Sequence, residues 1–336
     1  VSGAARTITS ASGDITLAAV DATGTAYGLT LTTTSGTINV ARVGGTSALA
    51  SLTTSAGGTT NFTGAGVTTT GAQTYNNAVL IKQSTAFSTS NANITFGSTL
   101  NTHSSATTPT VSIDSGSAIT TLNGAVGAVK VLGATSISAG SVVTGSSGSI
   151  KMDGSALSIT TDAISIGATV SGTSTLTIAP KTASTTIGLA GASGTLNLDT
   201  TELNYLSDGF SAMTIGSAAA TGKITVGSYT FKDTLTLING TATSNGGMQF
   251  TGAVSVLGGS SGTSNLLTLH SRGTVTQDSG AGLTAYGLEL LGAGATYTLT
   301  DGANAITNLA GNSGTVSFTE NSGFDIGTVN TVGMTV

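Results

Sequence analysis

Charge is what this chain has least of. Lys, Arg, Asp and Glu supply 7% of its 336 residues, against roughly 25% in an ordinary globular domain. The nine cations form no cluster, and phosphate binding needs one, so nucleic acid is not an expected partner. Cysteine is absent, which excludes a disulfide framework and leans weakly towards an exported bacterial protein. Two prolines rule out a Pro-rich stalk or a collagen-like chain. No apolar run reaches membrane-spanning length, so no membrane span is expected. No N-terminal signal peptide is present, and the first residue is Val1 rather than Met. That start reads as a mature or excised piece of something longer.

Gly contributes 49 residues, and Ser, Thr and Ala fill most of the rest. Low complexity of this kind can mean disorder, but the 38% hydrophobic content and mean hydropathy of +0.31 argue for a core. The apolar residues are also regularly placed. A unit of Gly, polar, apolar, polar, apolar recurs as Gly13–Leu17, Gly36–Val40, Gly148–Met152, Gly194–Leu198, Gly222–Val226 and Gly314–Phe318, with a degenerate copy at Gly273–Gln277. Subtraction puts these glycines 23, 112, 46, 28, 51 and 41 residues apart. Most gaps are near multiples of a solenoid step of about 20–25 residues. A second echo pairs Thr25–Leu31 (TAYGLTL) with Thr284–Leu290 (TAYGLEL), and Tyr27 and Tyr286 are expected at equivalent corners.

The stretch 194–240 is the richest. Leu196 and Leu198 alternate with polar residues, as in a half-buried strand. Asp199 and Glu202 have capping-box spacing, Leu203 and Leu206 follow, and Gly209 is placed to end a short helical turn near 200–208. That turn reads as a lateral decoration presenting Tyr205 and Phe210.

These features predict an all-β fold: a right-handed parallel β-helix (β-solenoid) of about 15 coils. At roughly 4.8 Å per coil it would be a rod about 70 Å long. Ile, Leu, Val and Ala are expected inside, and Thr, Ser and Asn outside as ladders of like residues, including Thr32–Thr34 and Thr68–Thr70. Polar runs at 83–93, 101–109 and 258–265 read as loops, and Gly145–Gly148 and Gly258–Gly262 as flexible turns. One continuous domain over 1–336 is expected. Neither end carries a capping element, which favours a longer parent chain or head-to-tail stacking.

Several blocks carry a family resemblance. Thr68–Val79 (TTTGAQTYNNAV) followed by Asn93–Ser98 (NITFGS) is similar to repeats of filamentous-haemagglutinin-like giant bacterial exoproteins. So are Leu176–Pro180, Thr186–Leu189, Gly194–Leu198, Asp208–Phe210 with Ile215–Gly216, and Thr276–Gly280 with Leu290–Gly292 and Tyr297–Thr300. The resemblance covers most of the chain. It implies a right-handed β-helix, secretion to the cell surface, and a role in adhesion or fibre building.

Sequence motifs for chemistry are few. His103 and His270 are 167 residues apart by subtraction, without neighbours at zinc-ligand spacing. Calcium-binding repeats are missing, and Asp14 and Asp153 read as turn residues bonding their own backbone. Asp278, Asp301 and Asp325 are 23 and 24 residues apart, about one coil each. Stacked, they would offer a cation site or a glycoside-hydrolysing pair; unstacked, they are three unrelated turn residues. No nucleophile elbow or phosphate loop occurs. Arrays such as Thr30-Leu31-Thr32 also admit an ice-binding reading, which ordinary ladders explain equally well.

No catalytic residue, cofactor or metal ligand is therefore assigned. The expectation is a non-enzymatic, extracellular structural or adhesive rod of a bacterial surface fibre. Its expected partners are other copies of itself, end to end or lateral, neighbouring repeats of one long chain, and host or cell-surface glycans. The alternatives are a subunit that stacks into a filament or sheath, and a β-helix polysaccharide lyase or hydrolase. The lyase reading is disfavoured because Arg6, Arg42 and Arg272 are scattered and Trp is absent.

Overall fold

Strand alternation decides the architecture. Short strands bury every second side chain, and each pairs in parallel with a strand about one coil away in sequence. The result is a parallel β-solenoid of about 14 turns with almost no helix. The computed structural model describes residues 3–55, 57–240, 246–257 and 265–336. The expected turn Gly258–Gly262, and the expected loop at 258–265 apart from Asn265, lie outside the described residues. The chain divides into two compact units, Val1–Thr160 with Ser165–Gly172, and Thr161–Ile164 with Thr173–Val336.

In the first unit the strand Arg6–Ser10 begins one sheet. Gly28–Thr33, Ser51–Thr54, Gln73–Tyr75, Ile94–Phe96 and Ile119–Leu122 follow it in unbroken parallel register. Leu31, Thr54, Tyr75, Phe96 and Leu122 then share one inward column. Aromatic rings fill this part of the core. Tyr75 and Phe96 stack at 4.9 Å between centroids, and Phe87 meets Phe62, Tyr75 and Phe96 edge-on at 5.1, 5.4 and 5.2 Å. Edge-to-face pairs suit the ring quadrupoles and add to the gain from burying the rings.

In the second unit the inward columns are aliphatic. Leu176, Met213, Leu235, Leu267 and Leu288 form one; Ile178, Ile215, Leu237, Leu269 and Leu290 form its neighbour. All ten are buried.

Glycines mark the corners because neighbouring coils come too close there for a side chain. A Cβ on Gly36 would collide with the carbonyl of Gly13, and one on Gly58 with the carbonyl of Gly36. In the other copies the recurrent unit therefore begins with Gly at a point of backbone-to-backbone contact, while Gly13 faces only the Ser10 hydroxyl.

Two expectations fail instructively. The polar run 83–93 contains the strand Thr85–Thr89, which pairs with both the preceding and the following coil. Thr85, Phe87 and Thr89 all point inward, so hydroxyl-rich composition concealed a core strand. Inward threonines are also wider than the aliphatic-core expectation. Thr33, within the expected outward run Thr32–Thr34, is fully buried. Its hydroxyl accepts from Gly36 N–H at 2.9 Å, and Thr69 in the second such run donates to the Gly71 carbonyl at 2.6 Å. Each sits at a strand end, where a short side chain closes the following turn.

Phe87→Ala removes the ring that joins three others and should destabilise the protein by about 3–5 kcal/mol. Thr74→Val, on the outward side of the same sheet, should change stability by less than about 0.5 kcal/mol. Urea unfolding followed by circular dichroism compares the two, and comparable losses would contradict the assigned orientations.

Candidate functional site

Parallel pairing places an outward residue against its counterpart one coil on, apart from register shifts such as that between Val40 and Arg42. In the first unit Thr7, Thr30, Thr53, Thr74, Thr95 and Thr121 fall in a single row. By subtraction they are 23, 23, 21, 21 and 26 residues apart. In space they are one strand spacing apart, about 4.8 Å. The second unit has its own row, Thr177, Thr214, Thr236 and Thr268, which continues to Glu289. On another face of the first unit Asn39 and Asn61 are adjacent, with an amide hydrogen bond of 3.0 Å between them. These rows are the expected ladders of like residues.

Carboxylates sit at corners and tie one coil to the next. Asp14 accepts Thr37 N–H at 2.7 Å, and Asp21 accepts from Thr46 and Ser47 at 2.8 and 3.2 Å. Those backbone donors, with Arg42 3.6 Å away, hold the Asp21 carboxyl below its usual range. Asp162 accepts from Thr182 and Thr185. The turn reading of Asp14 is thus corrected: its carboxylate caps the following coil, not its own backbone. Asp153 pairs with Lys151 at 3.1 Å.

The acidic trio separates. Asp278 and Asp301 line one surface depression of about 360 Å³ with Gln277, Ser279, Thr300 and Gly302. Asp325 instead pairs with Asn308, in a different strand column. Equal sequence spacing did not give equal register because Thr276 aligns with Thr298, which sets Asp278 level with Thr300. Asp301 is committed to backbone: Gly280 N–H lies 2.5 Å from one oxygen and Ala303 N–H 2.8 Å from the other. Both donors hold its carboxyl below the ordinary value. Asp278 accepts from the Gln249 amide at 2.8 Å. Among the described residues, no three His, Cys, Asp or Glu side chains gather to hold a metal.

His103 bonds Ser105 within its own loop, at 2.8 Å. His270 is half-buried on a strand, where burial and the charge of Arg272 lower its pKa while Glu289 acts the other way. The loop after Asn101 borders a cleft of about 480 Å³ lined by Leu80, Thr99, Asn101, Thr102, Ser104, Val129 and Lys130. The Lys130 ammonium is turned onto the carbonyls of His103, Ser104 and Ala106 at 3.3, 2.8 and 2.5 Å, so it fastens one loop to another.

The lateral decoration is present and tightly built. Leu196–Leu198 lies parallel to Ile187–Leu189, which also pairs with Ile224–Val226. The helix Thr200–Tyr205 follows, and both capping-box bonds form: Glu202 N–H to Asp199 at 2.8 Å and Asp199 N–H to Glu202 at 3.0 Å. Leu206, in extended conformation, ends the helix. Gly209 (φ +128°) serves a later turn. Phe210 is 4% exposed and belongs to the core rather than the lateral surface. Asn204 on the helix accepts from the Tyr229 hydroxyl at 3.1 Å, and Gly209 N–H donates to Asp233 at 3.0 Å. The expected presentation of Tyr205 and Phe210 together is therefore corrected: only Tyr205 is partly open to solvent.

Sequence reading missed a second lateral feature. Residues 328–332 fold outward and lie against the side of the second unit's sheet. Glu289, 2% exposed, receives the Thr268 hydroxyl at 2.9 Å, the Asn330 amide at 2.8 Å and Thr331 N–H at 2.9 Å. The Val329 side chain covers Gly287, where any Cβ would come within 3.1 Å of it. A signal did exist: in the echo of TAYGLTL by TAYGLEL, the one mismatch is Thr30 against Glu289.

No protein-family model matches the chain, and no curated protein or solved structure matches it at significance. The site is therefore described by its own geometry: uncharged hydroxyl and amide rows along the sides, interrupted by the 199–210 excursion and the 328–332 clamp.

Glu289→Ala removes the acceptor of Thr331 N–H and leaves Asn330 only its longer bond to the Thr268 hydroxyl at 3.4 Å. Hydrogen bonds to a charged group contribute about 1.5–3 kcal/mol. Amide exchange at Thr331 should accelerate by at least about tenfold, with Glu289→Gln intermediate. Hydrogen-exchange mass spectrometry on peptides covering 327–336 provides the measurement, and unchanged protection in Glu289→Ala would refute the clamp.

Proposed function

We propose that the chain is a non-enzymatic structural and adhesive β-solenoid of a bacterial surface fibre or secreted adhesin. The similarity of its blocks to filamentous-haemagglutinin-like exoproteins supports this reading. The observation that carries it is the six-threonine row from Thr7 to Thr121. Each hydroxyl offers a hydrogen bond with a net value of only about 1 kcal/mol. Repeated at every coil, such groups engage a chain-like partner many times at once, and linked weak contacts multiply. The partner this suits is an uncharged surface glycan, or another copy of the chain lying alongside. Low charge and rare Lys also leave few sites for trypsin-like proteases, which suits extracellular use. Backbone ladders and stacked core rows give each coil its stability mainly from its neighbours.

The test is binding of the purified chain to immobilised neutral polysaccharides by surface plasmon resonance, beside sedimentation velocity for self-association. Thr30→Val, Thr53→Val and Thr74→Val combined should retain the circular dichroism spectrum. It should weaken glycan binding or lateral association by about tenfold or more, the factor equivalent to 1.4 kcal/mol. Equal binding by the triple variant would remove the ladder as the adhesive face. Turnover of an acidic polysaccharide would overturn the reading altogether.

A further inference from the structure

The cleft beside the loop after Asn101 is lined by donors that have nothing to bond. Parallel register sets Asn39, Asn61, Leu80 and Asn101 in one outward row, one strand spacing apart, and Leu80 is its aliphatic member. Leu80 and Asn101, level with one another on neighbouring coils, both line the cleft. Asn101 is 3% exposed, and its Oδ1 accepts Val129 N–H at 3.0 Å. That bond fixes the side chain and leaves the two hydrogens of Nδ2 on the cleft side, where among the described residues they meet no acceptor. The hydroxyls of Thr99 and Ser104, on the same cleft, are likewise without a hydrogen bond among the described residues. A polar side chain this deeply buried normally has its donors satisfied. Here the unsatisfied ones face an open space of about 480 Å³.

The second aliphatic wall is Val129, 88% exposed. Its loop is firmly tied. Thr102 N–H donates to the Lys130 carbonyl at 3.1 Å, the Thr102 hydroxyl to the Val131 carbonyl at 2.5 Å, and Gly127 N–H to the Leu100 carbonyl at 2.8 Å. Leu80 and Val129 are thus in place before any ligand arrives, which lowers the cost of binding one. Charge is not what the cleft offers. The three hydrogens of the Lys130 ammonium are taken by the carbonyls of His103, Ser104 and Ala106, and no lining side chain is acidic. The volume falls within the range of about 300–1,000 Å³ that small-molecule sites occupy. The ligand that fits is neutral and two-sided: an acceptor oxygen for the Asn101 amide, a methyl group beside it for Leu80 and Val129, and hydroxyls for Thr99 and Ser104.

We propose that this cleft binds the acetamido group of an N-acetylated amino sugar in a neutral glycan. The acetamido carbonyl accepts from Asn101 Nδ2, its methyl rests between Leu80 and Val129, and ring hydroxyls meet Thr99 and Ser104. Those two hydroxyls favour a sugar over an acetylated lysine, whose aliphatic chain brings them no partner. The cleft stands on the strand column of Ala78–Ile81 and Leu100–Thr102, whereas the threonine row runs along that of Ser51–Thr54, Gln73–Tyr75 and Ile94–Phe96. The inference therefore goes beyond the adhesive reading of that row, and its test succeeds or fails separately.

NMR titration of the isotopically labelled chain tests it. The probe is triacetylchitotriose, beside cellotriose, which has the same linkage and a hydroxyl where each acetamido group stands. Triacetylchitotriose should shift the methyl signals of Leu80 and Val129 and the side-chain amide signals of Asn101, and the shifts should saturate. Cellotriose should bind at least about tenfold more weakly, because it leaves the amide and the methyl walls without their partner. Asn101→Asp keeps the acceptor for Val129 N–H and removes both donors, so affinity for triacetylchitotriose should fall by at least about tenfold. Val129→Ser trims a side chain that packs little, so the circular dichroism spectrum should be retained while affinity falls about threefold or more. Unmoved signals at millimolar sugar, equal binding of cellotriose, or native affinity in either variant overturns the proposal. A peptide carrying Nε-acetyl-lysine that binds the cleft as tightly as the sugar overturns the assignment to a glycan.

Discussion

The spacing of parallel backbone hydrogen bonds governs everything else in this protein. A paired strand residue has its counterpart one coil away held about 4.8 Å off, with register shifts at places such as between Gly292 and Thr296. Whatever stands at one position is therefore repeated against something similar. Methyl groups so stacked form a dry core, and threonines form a hydroxyl row. Like charges so stacked would repel by about 1 kcal/mol in bulk water and by about 3–4 kcal/mol at the effective dielectric of a protein surface. This accounts physically for a composition with only 7% charged residues. The acids that remain stand at corners, where Asp14, Asp21 and Asp162 face backbone N–H groups of a later coil instead of a copy of themselves.

The same constraint explains what could be read in advance. Leu196 and Leu198, Ile224 and Val226, and Ile38 and Val40 announce buried strands through plain alternation, and all six are buried. The capping box at Asp199 is local chemistry over four residues, so it was legible too. The failures are cases in which composition stood in for position. Thr85, Thr89 and Thr33 read as polar, yet a threonine at a strand end closes its hydroxyl onto a nearby turn and points inward at little cost. Phe210 reads as part of the lateral turn, whereas the turn at Gly209 returns it to the core. Asp278, Asp301 and Asp325 showed that even spacing in sequence is not register. Coils differ in length, and only the pairing of Thr276 with Thr298 reveals which residues are level.

The lateral features were the least legible part because they depend on breaking the pattern. Glu289 occupies a position that Thr177, Thr214, Thr236 and Thr268 hold in earlier coils. A lone acid in such a row reads as a solvated exception. It is instead the most buried acid of its unit's side, because residues 328–332 bring an amide and a backbone N–H to it from 41 and 42 residues away.

A surface made of identical rungs distinguishes poorly between one rung and the next. Under the adhesive reading, binding to such a surface would scale with contact length, and a partner would slide in register at no cost. Selectivity and regulation must therefore come from the interruptions, where one coil differs from its neighbours. The two interruptions here are fastened differently. Glu289 is enclosed with donors on both oxygens, from Thr268, Asn330 and Thr331. Asp233 is buried and accepts Gly209 N–H, fastening the 199–210 excursion to its coil.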